Sequence, residues 1–205
     1  MRPFVRAARR SALVMLLPMF IAHIALLSLW PLFAQARQPF DFRVLATSKT
    51  STMEKELNEA GEAGFSFQSV MGGDTSGGGS EVVVVMERRG GVKPRFSYKL
   101  LATSKTSTME KELQQAADAG FHYRGQSVFK SSFGGEEVIC ILERDKETEI
   151  RPFRYKLLAT SKTSTLQKEL LQAGAAGYEL LGMTVAKTAL GGNELVAIMR
   201  RVEAQ

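Results

Sequence analysis

The chain has 205 residues, 44% of them apolar and 23% charged, with one Cys, one Trp and two His. A single cysteine excludes an internal disulfide and a Cys-rich zinc site, and this charge balance excludes a disordered tail. Four arginines and no acid lie in residues 1–36, so the remainder carries 23 basic and 21 acidic residues, a net of +2 within the chain's formal +6. The basic excess therefore belongs to the leader and gives no ground for a nucleic-acid partner.

Residues 1–36 open with Arg2, Arg6, Arg9 and Arg10, continue with an apolar run over 12–33, and end in Ala34-Gln35-Ala36. These are the three parts of a secretory signal peptide. The run would also span about 33 Å as a helix, enough to cross a bilayer. Two outcomes stay open: cleavage after Ala36, or a retained N-terminal membrane anchor through residues 12–33. Either way the arginines stay on the cytoplasmic side, and the rest is expected to be exported, periplasmic or extracellular. The only cysteine, Cys140, lies far from the leader and excludes a lipoprotein anchor.

Beyond the leader the chain repeats itself three times. Leu45-Ala46-Thr47-Ser48-Lys49-Thr50-Ser51-Thr52 recurs letter for letter at 101–108 and 158–165. Offsets of 56 and 57 align the copies without an internal gap, giving units over 39–89, 95–145 and 152–202. Within each, Phe40, Phe42 and Val44 (then Phe96, Tyr98, Leu100 and Phe153, Tyr155, Leu157) alternate as in a strand. Ser51-Thr52-Met53-Glu54 reads as a capping box, and Met53, Leu57, Ala60 and Gly61 follow as one apolar helix face. Gly64, Gly120 and Gly177 stand where a left-handed stop is needed, and an aromatic then opens the second strand. The third strand, Val82–Met86 and its counterparts, is apolar throughout, as in a central strand covered on both faces.

These elements predict an α+β chain of three tandem split β-α-β-β units with strand order first–third–second. One helix per unit and antiparallel or mixed sheets follow. A unit of about 50 residues buries little surface alone, so a compact pseudo-threefold or a continuous-sheet packing is expected.

Leu57–Phe65 and Leu170–Leu181, with Tyr155-Lys156-Leu157 before and Met199-Arg200-Arg201 after the third helix, resemble the small bacterial family catalogued as domain of unknown function 4177. The resemblance covers all three copies. It implies a fold and no activity, so it carries no functional residues over.

Chemistry is sparse. Outside the leader there is one His, His122, and one Cys, Cys140, too few for a zinc or copper site. His122 reads as a solvated strand residue and Cys140 as a small buried hydrophobe. No Gly-x-Ser-x-Gly elbow or plausible Ser-His-Asp set is present, so no catalytic residue, metal ligand or cofactor is assigned. The glycine-rich stretch 72–79 lacks the Gly-Lys-Ser/Thr ending of a phosphate loop and joins two strands, so it reads as a hairpin loop.

What remains is the repeated Lys-Thr-Ser at the helix starts: Lys49, Thr50 and Ser51; Lys105, Thr106 and Ser107; Lys162, Thr163 and Ser164. Free N–H groups, a partial positive charge, a Lys and hydroxyls together suit a small anion. The plain reading is a capped, solvated turn. Third strands differ among copies (Val84, Cys140, Ala197) while this loop does not, which requires a shared packing or ligand constraint. The expectation is an exported, non-enzymatic binding or assembly module of the cell envelope. Its expected partner is an anionic small molecule, an envelope polymer or the chain itself. An envelope hydrolase with an inter-repeat cleft and an oligomerising scaffold stand as alternatives.

Overall fold

The alternating apolar residues of each copy do form strands, and the Leu-rich segment between them forms one helix. A computed structural model describes residues 39–76, 79–90, 93–130, 136–187 and 192–203. The leader and the glycine pairs Gly77-Gly78 and Gly134-Gly135 lie outside these residues. Unit one comprises β1 (Phe40–Thr47), α1 (Thr50–Glu62), β2 (Ser66–Thr75) and β3 (Gly79–Arg89). Unit two comprises β4 (Phe96–Thr103), α2 (Thr106–Asp118), β5 (His122–Lys130) and β6 (Glu136–Asp145). Unit three comprises β7 (Phe153–Thr160), α3 (Thr163–Ala175), β8 (Glu179–Lys187) and β9 (Asn193–Val202). Among the described residues no helix is long and apolar enough to cross a membrane.

Each unit is a three-stranded sheet with its last strand in the centre: β1-β3-β2, β4-β6-β5 and β7-β9-β8. Every pairing is antiparallel. The fold of the described residues is therefore α+β, built from three separate antiparallel sheets and three helices. The central strands β6 and β9 are covered on both faces, which is why they are apolar at consecutive positions. Strand β3, expected to be covered on both, is covered on one: Val82, Val84 and Met86 are buried and Val83 and Val85 only half-buried, because no unit packs on its other face among the described residues. Each second strand carries a register shift, at Phe67/Ser69, Tyr123/Gly125 and Leu180/Gly182.

Each helix ends as its glycine predicts. Gly64, Gly120 and Gly177 have φ of 85°, 81° and 82°, a region that a Cβ disfavours. The N–H of Phe65 reaches the carbonyl of Ala60 at 3.0 Å and that of Gly64 reaches Gly61 at 3.0 Å. This is a Schellman closure, repeated at Phe121→Ala116 and Tyr178→Ala173. It turns the chain back so that the second strand starts under the helix.

The helix starts differ from the expected capping box. The N-cap residues are Lys49, Lys105 and Lys162, extended in φ and ψ, and none makes a side-chain cap bond. Each helix begins ahead of its Ser, so Ser51, Ser107 and Ser164 stand inside the first turn and cannot take the N-cap conformation. The glutamates serve the next unit instead. Glu54 Oε2 accepts the Leu100 N–H at 2.8 Å, and Glu110 Oε1 accepts the Leu157 N–H at 3.2 Å.

The core shows how units join. Met53, Leu57, Val84 and Met86 of unit one share a cluster with Tyr98, Ile139 and Ile141 of unit two. Met109, Leu113, Cys140 and Leu142 of unit two share another with Tyr155, Val196 and Ile198 of unit three. Unit three's remaining cluster, Leu158, Leu166, Ala173, Ala197 and Met199, is its own. In β6, Val138, Cys140 and Leu142 thus pack under α2, while Ile139 and Ile141 pack against unit one. Each fully buried side chain of this size contributes about 1.5–3 kcal/mol. Among the described residues, substantial contacts between units join neighbours in the chain: α1 with β4, β2 with β5, α2 with β7 and β5 with β8.

A continuous sheet does not form, for a physical reason. The edge strand that would extend it, β4, has its outward backbone groups occupied by side chains of α1. Asn58 Nδ2 donates to the Tyr98 carbonyl and Asn58 Oδ1 accepts from the Tyr98 N–H, both at 2.9 Å. On β7, Gln114 repeats this on Tyr155 N–H at 3.2 Å and the Phe153 carbonyl at 3.4 Å. Helices seal the edges that strands would otherwise pair.

Candidate functional site

The repeated turn is ordered first by threonine. Thr47 Oγ1 accepts the Lys49 N–H at 3.2 Å, Thr103 that of Lys105 at 3.1 Å, and Thr160 that of Lys162 at 3.4 Å. A hydroxyl accepting from two residues on is a local turn device, and it leads the chain from strand into helix. The first helical bond then closes from Met53 to Lys49 at 3.1 Å, with Met109→Lys105 and Leu166→Lys162 alike.

Around that frame Lys49, Lys105 and Lys162 are exposed, as are Ser51, Ser107 and Ser164. Thr50 and Thr106 are half-buried, whereas Thr163 is exposed. The turns border different spaces. Thr50, Ser51 and Glu54 line an open cleft of about 420 Å³ with Lys99, Leu100 and Glu112 of unit two. Lys105 and Thr106 border a crevice of about 10 Å³ with Glu136, Lys187 and Glu194, room for about one water. There the Lys187 ammonium lies 3.0 Å from the Glu136 carboxylate. The arrangement offers helix N–H groups and exposed ammonium groups to solvent at three places.

The more densely built polar sites lie at the junctions between units, where the sequence offered an inter-repeat cleft only as an alternative and singled out none of the residues that follow. Glu143, 8% exposed, is the one buried charged residue among those described. Its Oε2 accepts the Tyr98 hydroxyl at 2.7 Å, and that hydroxyl accepts the Phe67 N–H at 3.0 Å. Arg124 Nε stands 3.5 Å from the other Glu143 oxygen, and its Nη2 donates to the Phe67 carbonyl at 3.4 Å. Unit one's Phe67 backbone is thus held by a hydroxyl and a guanidinium from unit two. Burial, then the Glu143 charge, pushes the Tyr98 phenol upward. At the next junction Tyr155 accepts the Tyr123 N–H at 2.6 Å and donates to the Phe121 carbonyl at 3.3 Å.

His122 differs from the expected solvated residue. It is half-buried, stacked on Phe153 with centroids 4.6 Å apart, and its Nδ1 lies 3.4 Å from Arg200 Nη1. Burial and the Arg200 charge lower its pKa, so the neutral ring accepts from the guanidinium. Cys140 is fully buried and free, and burial pushes its thiol up. Among the described residues no group of three or more His, Cys, Asp or Glu could hold a metal ion. The junction residues carried one legible signal. Asn58 and Gln114 give way to Leu171, and Tyr98 and Tyr155 to Phe42, so the pattern breaks at the first and last units.

No family model, no curated protein and no solved structure matches this chain.

Proposed function

We propose that this chain is a non-enzymatic binding or assembly module of the cell envelope, exported by its N-terminal segment. The observation that supports it is where the polar side chains go. Glu54, Asn58, Glu110, Gln114 and Tyr98 hold one unit to the next, and Glu143 braces the Tyr98 hydroxyl for that contact. An array whose specific interactions maintain its own stacking serves as a surface. The packing in this reading is an open stack of units in chain order, in place of a pseudo-threefold closure. Export rests on the arginines, the apolar run and Ala34-Gln35-Ala36. Kinship with the family of domain of unknown function 4177 belongs to the same proposal.

The contacts of this surface with small anions or an anionic envelope polymer are assigned to the three Lys-Thr-Ser helix starts. Their ammonium groups stand in solvent beside helix N-termini, where anions gain from free N–H groups and the dipole. The same exposure weighs against the hydrolase alternative, because an activated amine needs burial to lower its charge. Calorimetric titration of the full chain with polyphosphate and with polyglutamate tests the assignment. Replacing Lys49, Lys105 and Lys162 together by Ala is expected to weaken binding roughly tenfold, about 1.4 kcal/mol. Unchanged affinity for both polymers would reject the site.

A further inference from the structure

Of the ten large hydrophobic side chains exposed among the described residues, nine belong to the two end units; Val202, the last residue of β9, is set aside and eight remain. Phe40, Phe42, Val44 and Met71 belong to unit one, and Leu171, Leu180, Met183 and Val185 to unit three. Their positions are those of the two halves of one interface. Phe42 is 59% exposed, whereas its counterparts Tyr98 and Tyr155 are 3% and 5% exposed because the preceding unit covers them. Leu171, 66% exposed, takes the place of Asn58 and Gln114, which seal the following unit's edge strand. Among the described residues no unit packs ahead of unit one or behind unit three.

We infer that two copies of this chain join head to tail, the bare face of the β1-β3-β2 sheet in one copy seating on α3 and β8 of the other. The inference deepens the assembly-module reading and rests on it.

Continuity with the internal junctions carries the argument. A Cβ on Gly61 would meet the Phe96 carbonyl at 2.8 Å, so a small residue there admits the next unit's edge strand. Gly174 keeps that small residue on α3, yet nothing lies within 4 Å of its Cβ position. The approach is provided and unused. Side-chain sizes also match across the ends. The aromatic rings of Phe67 and Tyr123 press on Gly125 and Gly182 of the following unit. At the ends the larger Ser69 replaces glycine and the smaller Leu180 replaces the aromatic. Gln167 stands where Glu54 and Glu110 accept an amide of the next edge strand, and an amide oxygen serves equally.

The two largest departures go in one direction. Phe42 for Tyr and Leu171 for Asn or Gln make the ends more apolar than the inner junctions. Terminal repeats that merely cap an array turn a polar face outward. With the bidentate Asn contact given up, the contact between copies is weaker than those within a chain, hence reversible. Head and tail are different surfaces, so the association is heterologous and yields rings or filaments.

The test is sedimentation of the full chain in a mild detergent over a wide concentration range. The parent, Phe42→Asp, Leu171→Asp and the double variant are compared, with far-UV circular dichroism to verify the fold. Both side chains are exposed, so an Asp at either does not enter the core. Val44→Asp and Met183→Asp form a second pair at the same faces. The parent is expected to form species that grow with concentration, and each single variant to remain monomeric. An equimolar mixture of the two single variants, each keeping one good end, is expected to give a dimer and nothing larger. A parent that stays monomeric at the highest concentration would overturn the inference, leaving residues 1–38 or another protein to cover the face. Association that persists in the double variant would overturn it too, by placing the contact elsewhere. Neither result alters anion binding at the lysines, which calorimetry reads separately.

Discussion

At Tyr98 one hydroxyl satisfies two groups of opposite kind, the Phe67 N–H and the Glu143 carboxylate. Removing it leaves a buried donor and a buried charge short of a partner, a loss of about 1–3 kcal/mol. Tyr98→Phe should therefore lower the unfolding free energy by that amount in denaturant titration. Tyr155→Phe should cost less, because its partners are two neutral backbone groups. Gln126 presents the opposite situation. Its side-chain oxygen and nitrogen are buried without a hydrogen-bond partner, and the matching residues in the other copies are Val70 and Met183. Gln126→Met should stabilise the chain by roughly 1 kcal/mol, read in the same titration. His122 supplies a pH dependence. Its pKa is lowered in the folded chain, so the unfolded chain binds the proton more readily. Stability should hold above about pH 6.5, the ordinary His value, and decline as pH falls through it. His122→Gln should flatten that decline in thermal melts between pH 7 and pH 5. A decline that survives the substitution would assign it to another group.

Among the elements, the edge strands β4 and β7 depend on helices outside their own sheets. Asn58→Ala strips both outward groups of Tyr98 of their side-chain partner and should cost about 1–3 kcal/mol. The matching change at Leu171 removes an exposed side chain and should stay within about 0.5 kcal/mol. Much of this level was legible in the residues. Strand alternation, the helix face at Met53, Leu57 and Ala60, the left-handed glycines and the central third strand all depend on contacts within about fifty residues. The capping box misled because Glu54 is three residues after Ser51, the spacing of a local pair, while its partner is the Leu100 amide of another unit. The partner of Asn58 was hidden for the same reason: on a lone helix it is only a polar residue beside an apolar face, and only the change to Leu171 in the last copy marks it. His122 looked solvated because its neighbours Phe153 and Arg200 come from a different copy.

For the molecule as a whole, the letter-for-letter turn and the divergent third strands have different causes. The turn is set by local bonds that each copy makes within itself, Thr47 to Lys49 and its repeats, so one solution serves three times. The third strands face a different neighbour in each unit: open solvent and α1, then unit one and α2, then unit two and α3. Val83 and Val85 are accordingly half-buried in unit one, while Ile139 and Ile141 are fully buried in unit two. The sequence suggested joint burial from size alone; which face meets which followed only from the coordinates, because the junctions combine a helix, a sheet edge and a sheet face. Nearest-neighbour coupling of this kind makes the units unfold together when the junction energies are large. The direct measurement is hydrogen exchange followed by mass spectrometry on the full chain and on Asn58→Ala. If units complete one another, β6 is the slowest segment in the parent, and the substitution in unit one accelerates exchange in β4 and β6 of unit two. Acceleration confined to unit one, with β6 unchanged, would contradict a shared interior.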